Sequence, residues 1–294
     1  MSTKFLAFAD LHYDDMEDGD ERLNKIVQAI EENHPDFCIS LGDFCKPVEK
    51  NKDLIRRLDE TGIPFYFSVG NHETDRHKMD EVLEFFGASE PYYSFEHEEF
   101  KFIVMNTCYC NKDEKDQPFY NCNFKEHGVI FPIVPDTEMA WLEEELNNEK
   151  IKIIFSHHSL VNEFANRGVV NRQSVQQLFQ THNVMLCMNG HDHGDRIDEK
   201  NGTMFYTVNS ASYVWIGAQI AGNEEYLKKY GHMRGILPYK DPFYVVVEIH
   251  DSKIKIQGMD GEYLSVTPED VGLHDYKWNG VSILPKASSC ERKY

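Results

Sequence analysis

Long apolar runs are missing from this chain. No stretch approaches the ~20 consecutive apolar residues that a bilayer-spanning helix needs. The amino-terminal segment offers only five, Phe5 to Ala9, before Asp10 interrupts them. That is too short for the core of a secretory signal, so the expected location is cytoplasmic, with no membrane partner. Paired cysteine motifs are missing too. The seven cysteines are odd in number and none stands at C-x-x-C spacing. This argues against a disulfide framework or a thiolate zinc site and for reduced, mostly buried thiols. Positive charge is scarce: 30 Lys and Arg face 50 Asp and Glu, for a formal charge of −20. Duplex nucleic acid and anionic membranes want the opposite sign, so neither is an expected partner.

Apolar material is nevertheless ample. Hydrophobic residues make up 41% of the 294 and aromatics 13%, enough for a sizeable core. The first half alternates strand and helix patterns. Lys4–Ala9, Phe37–Leu41 and Phe65–Val69 read as strands. Arg22–Asn33, Lys52–Thr61 and Lys78–Phe86 read as helices, the first placing Leu23, Ile26, Val27 and Ile30 at helical spacing ahead of Pro35. Such alternation predicts parallel strands joined by crossover helices. Further strands are expected at Tyr92–Phe95, Phe102–Asn106, Ile151–Phe155, Val184–Met188 and Thr203–Val208, and a hairpin at Phe243–His250 with Lys253–Gln257. Helices are expected at Thr137–Leu146 and Ser174–Thr181.

Two stretches, near 107–135 and 212–241, show no clean period and read as irregular excursions. They carry Tyr109, Phe119, Tyr120, Phe124, Tyr213, Trp215 and Tyr226, which suit a pocket wall, a subcore or a contact between copies in a homo-oligomer. With no repeat and no linker, residues 1–260 are expected to form one domain, and 261–294 a C-terminal extension packed on it or trailing from it. The last ten residues are expected to be disordered.

Metal-binding side chains recur at the carboxyl end of one apolar strand after another. They are Asp10-Leu11-His12, Gly42-Asp43, Gly70-Asn71-His72-Glu73, Ser156-His157-His158 and Gly190-His191-Asp192-His193. In an open α/β sheet those ends form one rim where ligands bind. Asp10 and His12 are two apart, as are His191 and His193, so in extended chain each pair points one way, whereas His157 and His158 point apart. Each block alone is weak, since a Gly-Asp at a strand end is usually a turn. Five together are not, because burying so many carboxylates and imidazoles without a cation costs several kcal/mol per unpaired group.

The ordered blocks DLH, GD, GNHE, SHH and GHDH resemble the calcineurin-like metallophosphoesterases. The D-x-H opening and GHDH close are most similar to the branch of cyclic-nucleotide and glycerophosphodiester phosphodiesterases. The resemblance spans residues 10 to 193 and implies an α/β fold of two stacked mixed β-sheets flanked by helices, a four-layer αββα sandwich. It implies that Asp10, His12 and His193 bind one divalent ion, that Asn71, His157 and His191 bind the other, and that Asp43 bridges them. His72 is implied to contact the phosphate or the leaving group. His158 is a candidate supporting residue behind the ligands. The chain departs from the family at Ser159 and Leu160, where proline commonly follows the paired histidines, and at Glu73, where aspartate is commoner.

Imidazole and carboxylate ligands together suit Mn, Fe or Zn better than Ca or Mg. Such a pair of ions lowers the pKa of a bound water and polarises phosphoryl oxygens. The expected activity is hydrolysis of small phosphodiesters or phosphomonoesters by a metal-activated hydroxide, with His72 stabilising charge or protonating the leaving oxygen. Arg76, Arg167, Arg172 and Arg196 are candidates to grip a further anionic group. The competing functions are a nuclease on the same fold, disfavoured by the charge, and a catalytically silent metal-stabilised scaffold.

Overall fold

The structure is a computed structural model that describes residues 2–217, 235–250 and 253–294. The chain begins one sheet with Ser2–Phe8 (β1), Phe37–Ser40 (β2) and Phe65–Phe67 (β3). It crosses to a second with Tyr93–His97 (β4), Phe100–Val104 (β5), Ile151–Ser156 (β6), Val184–Asn189 (β7), Arg196–Lys200 (β8) and Thr203–Thr207 (β9). It returns to the first with Val245–His250 (β10), Lys253–Gln257 (β11) and Cys290–Lys293 (β12). The strand orders are β12-β11-β10-β1-β2-β3 and β8-β9-β7-β6-β5-β4. β1, β2 and β3 are mutually parallel, as are β5, β6, β7 and β9, which is what crossover connections require. β4, β8, β10, β11 and β12 pair antiparallel at the flanks and make both sheets mixed.

Period-two alternation in β1 decides the layering. Phe5 and Ala7 face a core shared by the two sheets, with Phe37, Phe102, Phe155 and Val245. Leu6 and Phe8 face outward onto Leu23, Ile26 and Ile30 of helix Gly19–Asn33 (α1) and Leu54 and Leu58 of helix Lys52–Asp59 (α2). The outer face of the second sheet is covered by helices Asp136–Leu146 (α4) and Arg172–Gln180 (α5), through Leu142, Leu146, Val175 and Phe179. Helix Met79–Phe86 (α3) closes the end near Phe67. The result is the expected αββα sandwich. Phe5 stacks on Phe37 at 4.9 Å and meets Phe155 edge-on at 5.6 Å. Each such ring fully buried stabilises the fold by about 1.5–3 kcal/mol.

The observed helices match the expected ones to within a few residues. α1 stops where His34 takes a left-handed turn (φ 46°) and returns its N–H to Ile30 O, just before Pro35. Two expectations are corrected, and one strand had not been expected. The 107–135 excursion is not irregular throughout: Tyr109–Lys112, Lys115–Pro118 and Ile130–Ile133 form a small antiparallel sheet whose strands are too short, and two of them too polar, to show alternation. β8 went unseen because its sequence, RIDEK, lies on an edge and is mostly charged. The tail is not disordered. β12 pairs with β11 from Cys290 to Lys293, and the Tyr294 hydroxyl donates to Met185 O, so residues 261–294 pack on the body. Of the 212–241 excursion, Tyr213–Trp215 pairs with Ile236–Pro238, while 218–234, with Tyr226, lies outside the described residues. All seven cysteines are free thiols. No described helix is long and apolar enough to cross a membrane.

The pairing of β12 is testable by hydrogen exchange. Amides of residues 290–293 should exchange with protection comparable to β11, whereas a trailing tail would exchange without measurable protection.

Candidate metal centre

Asp10 and His12 follow β1, Asp43 follows β2, Asn71 follows β3, His157 and His158 follow β6, and His191 and His193 follow β7. Since the two sheets stack with these ends on one side, all eight residues converge. They do not converge by strand alternation, as the sequence suggested. Asp10, His12, Asp43, His191 and His193 are all left-handed, with φ of 54°, 46°, 54°, 63° and 51°. Each costs on the order of 1 kcal/mol, and such residues persist where the surroundings over-determine them, typically at functional sites.

Those surroundings are visible. Asp10 N–H donates to Gly42 O and His12 N–H to Asp43 O, locking the first two loops together. Glu73, the departure from the family pattern, accepts the N–H groups of Asp43, Phe44 and Gly70 at 3.0, 2.5 and 2.8 Å, tying the second loop to the third. The glycines are steric necessities. A Cβ on Gly42 would stand 2.3 Å from His157 Nδ1, and one on Gly70 2.2 Å from Asp43 Oδ1.

Tautomers follow from the outward hydrogen bonds. His193 Nδ1 donates to Tyr213 O at 2.6 Å, and His157 Nδ1 to Leu41 O at 2.8 Å. His12 Nδ1 faces Asp15, and His191 Nε2 donates to Asn166 O at 3.0 Å. Each ring therefore turns a lone pair inward. His12 Nε2 and His193 Nε2 stand 3.2 Å apart, with Asp10 Oδ1 3.4 Å from His193 Nε2. His157 Nε2 is 3.2 Å from Asn71 Oδ1 and 3.3 Å from Asp43 Oδ2, which also lies 3.7 Å from His12 Nε2. Acceptors facing acceptors in a buried site require positive charge between them, so this donor set fits divalent cations. Ligand atoms of Asp10, His12, Asp43 and His193 lie within 4.8 Å of one another, as do those of His157, His158 and His191.

The electrostatics agree. Burial works against charge on Asp43, yet the imidazoles of His157 and His72 hold it well below the usual carboxylate range. Burial would lower His157, but Asp43 and then Asp10 bring it up to about 9. The carboxylates thus call for a cation here, a proton when no metal is bound. His191 and His158 are held neutral, well below 6.5, chiefly by burial. His158 is set by Thr107, whose hydroxyl oxygen accepts the His158 N–H at 3.0 Å and meets Nδ1 at 2.8 Å. Leaving the regular strand at Ser156 lets both neighbouring histidines face the cluster, which alternation forbade.

His72 is not in either group. Its backbone N–H donates to Asp43 Oδ1 at 2.8 Å and its ring, 42% exposed, lines a cleft of about 690 Å³ over the cluster. Nδ1 donates to Asp75 Oδ2 at 2.7 Å, leaving Nε2 to the cleft. Burial pulls its pKa down, but Asp43 and Asp75 overturn this and bring it up to about 9. Asp75 belongs to none of the motif blocks; its only signal in the sequence is the three-residue spacing to His72, and Asp15 stands at the same spacing from His12. Arg76 and Arg167 line the cleft, as do Phe119, Phe124, Tyr213 and Trp215. Arg172 instead bonds Val169 O and Arg196 pairs with Asp198, so neither serves the site.

Residues 3–195, two thirds of the chain, match the calcineurin-like phosphoesterase family. The chain belongs to that family. The family supports metal-dependent hydrolysis of phosphate esters, and the five strand-end blocks all fall within the matched residues. No curated protein matches the sequence. Among solved structures, the phosphoesterase is similar to a dimetal phosphatase from Danio rerio, with TM-score 0.61 and 14% identity over 89% of this chain and 96% of that one. It is similar to a purple acid phosphatase from yellow lupin, with TM-score 0.52 and 16% identity over 87% and 51%. It is also similar to GAP50, the anchor in the inner membrane complex of Plasmodium, with TM-score 0.57 and 12% identity over 97% and 98%. At such identities these likenesses speak for the fold alone.

Asp75 should govern the protonation of His72. In the metal-free phosphoesterase, NMR titration of the His72 ring should give a pKa near 9, and Asp75→Asn should move it lower, since a carboxylate that favours the imidazolium is gone. An unchanged titration would remove Asp75 from this role.

Proposed function

We propose that this chain hydrolyses small phosphodiesters or phosphomonoesters at a pair of divalent cations. The observation that carries the reading is Asp43 Oδ2, a single oxygen that faces His12 Nε2 on one side and His157 Nε2 on the other. Asp10, His12 and His193 would hold one ion and Asn71, His157 and His191 the other, with Asp43 shared. Imidazole with carboxylate favours Mn, Fe or Zn. When bound, such a pair lowers the pKa of coordinated water and polarises phosphoryl oxygens.

The chain's own groups supply the rest. Glu73 and the left-handed turns fix the ligands before substrate arrives, so little reorganisation is needed. Asp75 accepts the Nδ1 proton of His72 and with Asp43 favours the imidazolium, whose second proton sits on Nε2 facing the cleft. From there it can be given to the departing ester oxygen, or its charge can stabilise that oxygen as the bond breaks. The cleft admits a small ester, and cationic Lys46, Arg76, Lys125 and Arg167 line it. The chain as a whole carries a formal −20, which opposes long polyanions such as duplex DNA and weighs against a nuclease.

Metal analysis of active protein should give close to two transition-metal ions per chain, with chelation abolishing hydrolysis of a chromogenic diester. Full activity at one ion per chain would refute the shared role of Asp43. His72→Ala should keep both ions, since it removes no ligand, and lower kcat by roughly 10²–10⁴-fold. The loss should shrink for nitrophenyl esters, whose leaving group needs little protonation. Lost metal without leaving-group dependence would place His72 behind the ligands instead.

A further inference from the structure

Arg167 is buried without a direct ion pair among the described residues. It is 8% exposed and lines the cleft, yet among the described residues no carboxylate comes within ion-pair distance of it. Three of its five N–H groups are used. Nη1 donates to His191 O at 3.0 Å, and with the Asn279 amide turned so that its oxygen faces the guanidinium, Nε and Nη2 donate to it at 3.1 and 3.2 Å. These neutral acceptors satisfy geometry, and the carboxylates of Asp192 and Asp10 reach the guanidinium only at longer range, where they do not offset its burial. A guanidinium taken out of water costs several kcal/mol unless an anion meets it. Two N–H groups remain for that anion.

The holder of this arginine comes from the C-terminal extension. Lys277–Trp278 and Val281–Ser282 form a hairpin whose turn places Asn279 in the left-handed region (φ 47°). Asn279 Oδ1 also receives Trp278 Nε1 at 3.1 Å, and Asn279 O accepts Asn162 Nδ2 at 3.0 Å. Asn162 Nδ2 reaches Asp192 Oδ2 at 3.0 Å as well, which ties the hairpin to the loop between His191 and His193. Asp195 locks the hairpin from the other side by exchanging backbone hydrogen bonds with Ser282. On the remaining face, Arg167 stacks over Trp215 at 5.2 Å, and that indole is 46% exposed. Fixed on three sides, the guanidinium has lost its freedom before any ligand binds.

Resting on the hydrolytic function proposed above, we infer that Arg167, positioned by Asn279, binds a non-bridging oxygen of the phosphate that is hydrolysed. The carbonyl it bonds and the metal-facing imidazole belong to one residue, His191, and Arg167 lines the cleft over the cluster, so we assign the oxygen it binds to the phosphate at the cluster. The C-terminal hairpin, outside the matched residues 3–195, is then a substrate-positioning element of this chain.

Calorimetric titration of inorganic phosphate into the metal-loaded protein tests this without turnover, beside kinetics on a single-phosphate diester and on a diphosphate ester. Arg167→Gln should keep two ions and the thermal midpoint while weakening phosphate binding and kcat/KM on both esters by roughly 10–100-fold, as loss of a charge-assisted bond implies. Arg167→Lys should restore little, because a point charge does not reproduce the fork. Asn279→Asp keeps shape and left-handed backbone yet sets a carboxylate on the guanidinium. It should weaken phosphate binding comparably with no loss of metal, which a merely structural role would not do, and it serves in place of Arg167→Gln if that variant fails to fold. Unchanged phosphate binding in Arg167→Gln, or in Asn279→Asp if that variant stands alone, would overturn the inference. So would a loss confined to the diphosphate ester, which would put a second phosphate against Arg167. A wild-type protein that binds phosphate through Arg167 but hydrolyses no ester would sink the hydrolytic function and leave the anion clamp.

Discussion

Lone pairs crowd one point at the carboxyl ends of the strands, and only positive charge relieves them. Imidazole nitrogens of His12 and His193 stand 3.2 Å apart, and one oxygen of Asp43 faces rings from both ligand groups. In a buried setting that repulsion would open the loops or bind cations. Much of the surrounding construction resists the first outcome. Glu73 gathers three backbone N–H groups from the second and third loops, Thr107 fixes His158, and main-chain oxygens of Leu41 and Tyr213 fix His157 and His193.

The rigidity has its source in the core between the sheets. Five aromatic rings, Phe5, Phe37, Phe102, Phe155 and Phe95, interlock across it. Dense packing holds β1, β2, β6 and β7 in register, so their ends cannot drift apart when the ligand loops are strained. Five left-handed residues at one site are tolerable only on such a base. Stability in the core thus becomes precision at the rim.

Around that centre, segments with little sequence pattern shape the cleft. Phe119 and Phe124 come from the 107–135 excursion, Trp215 from the pair of short strands after β9, and Asn279 from the C-terminal hairpin. These segments are held by their own short sheets and by contacts to the loops around the cluster, such as Asn279 O with Asn162 and Ser282 with Asp195.

The sequence by itself determined the order of strands and helices, the αββα layering implied by the resemblance, and the residues able to hold metal. Each of these rests on local information: period, strand-end chemistry, spacing. It misjudged how the ligands converge, because extended-chain alternation was assumed where left-handed turns do the work, and those turns are imposed by neighbouring loops. It missed Asp75, and it left the polar 107–135 sheet, β8 and β12 unseen, because edge strands and small sheets carry no strong alternation. Which nitrogen of each histidine turns inward, and that Arg76 and Arg167 alone of the four arginines line the cleft, were decided only in the tertiary structure. Those outcomes depend on Leu41 O, Tyr213 O and Asn279, partners 110 or more residues away from some of the groups they hold, and no local pattern in a chain encodes a contact at that distance.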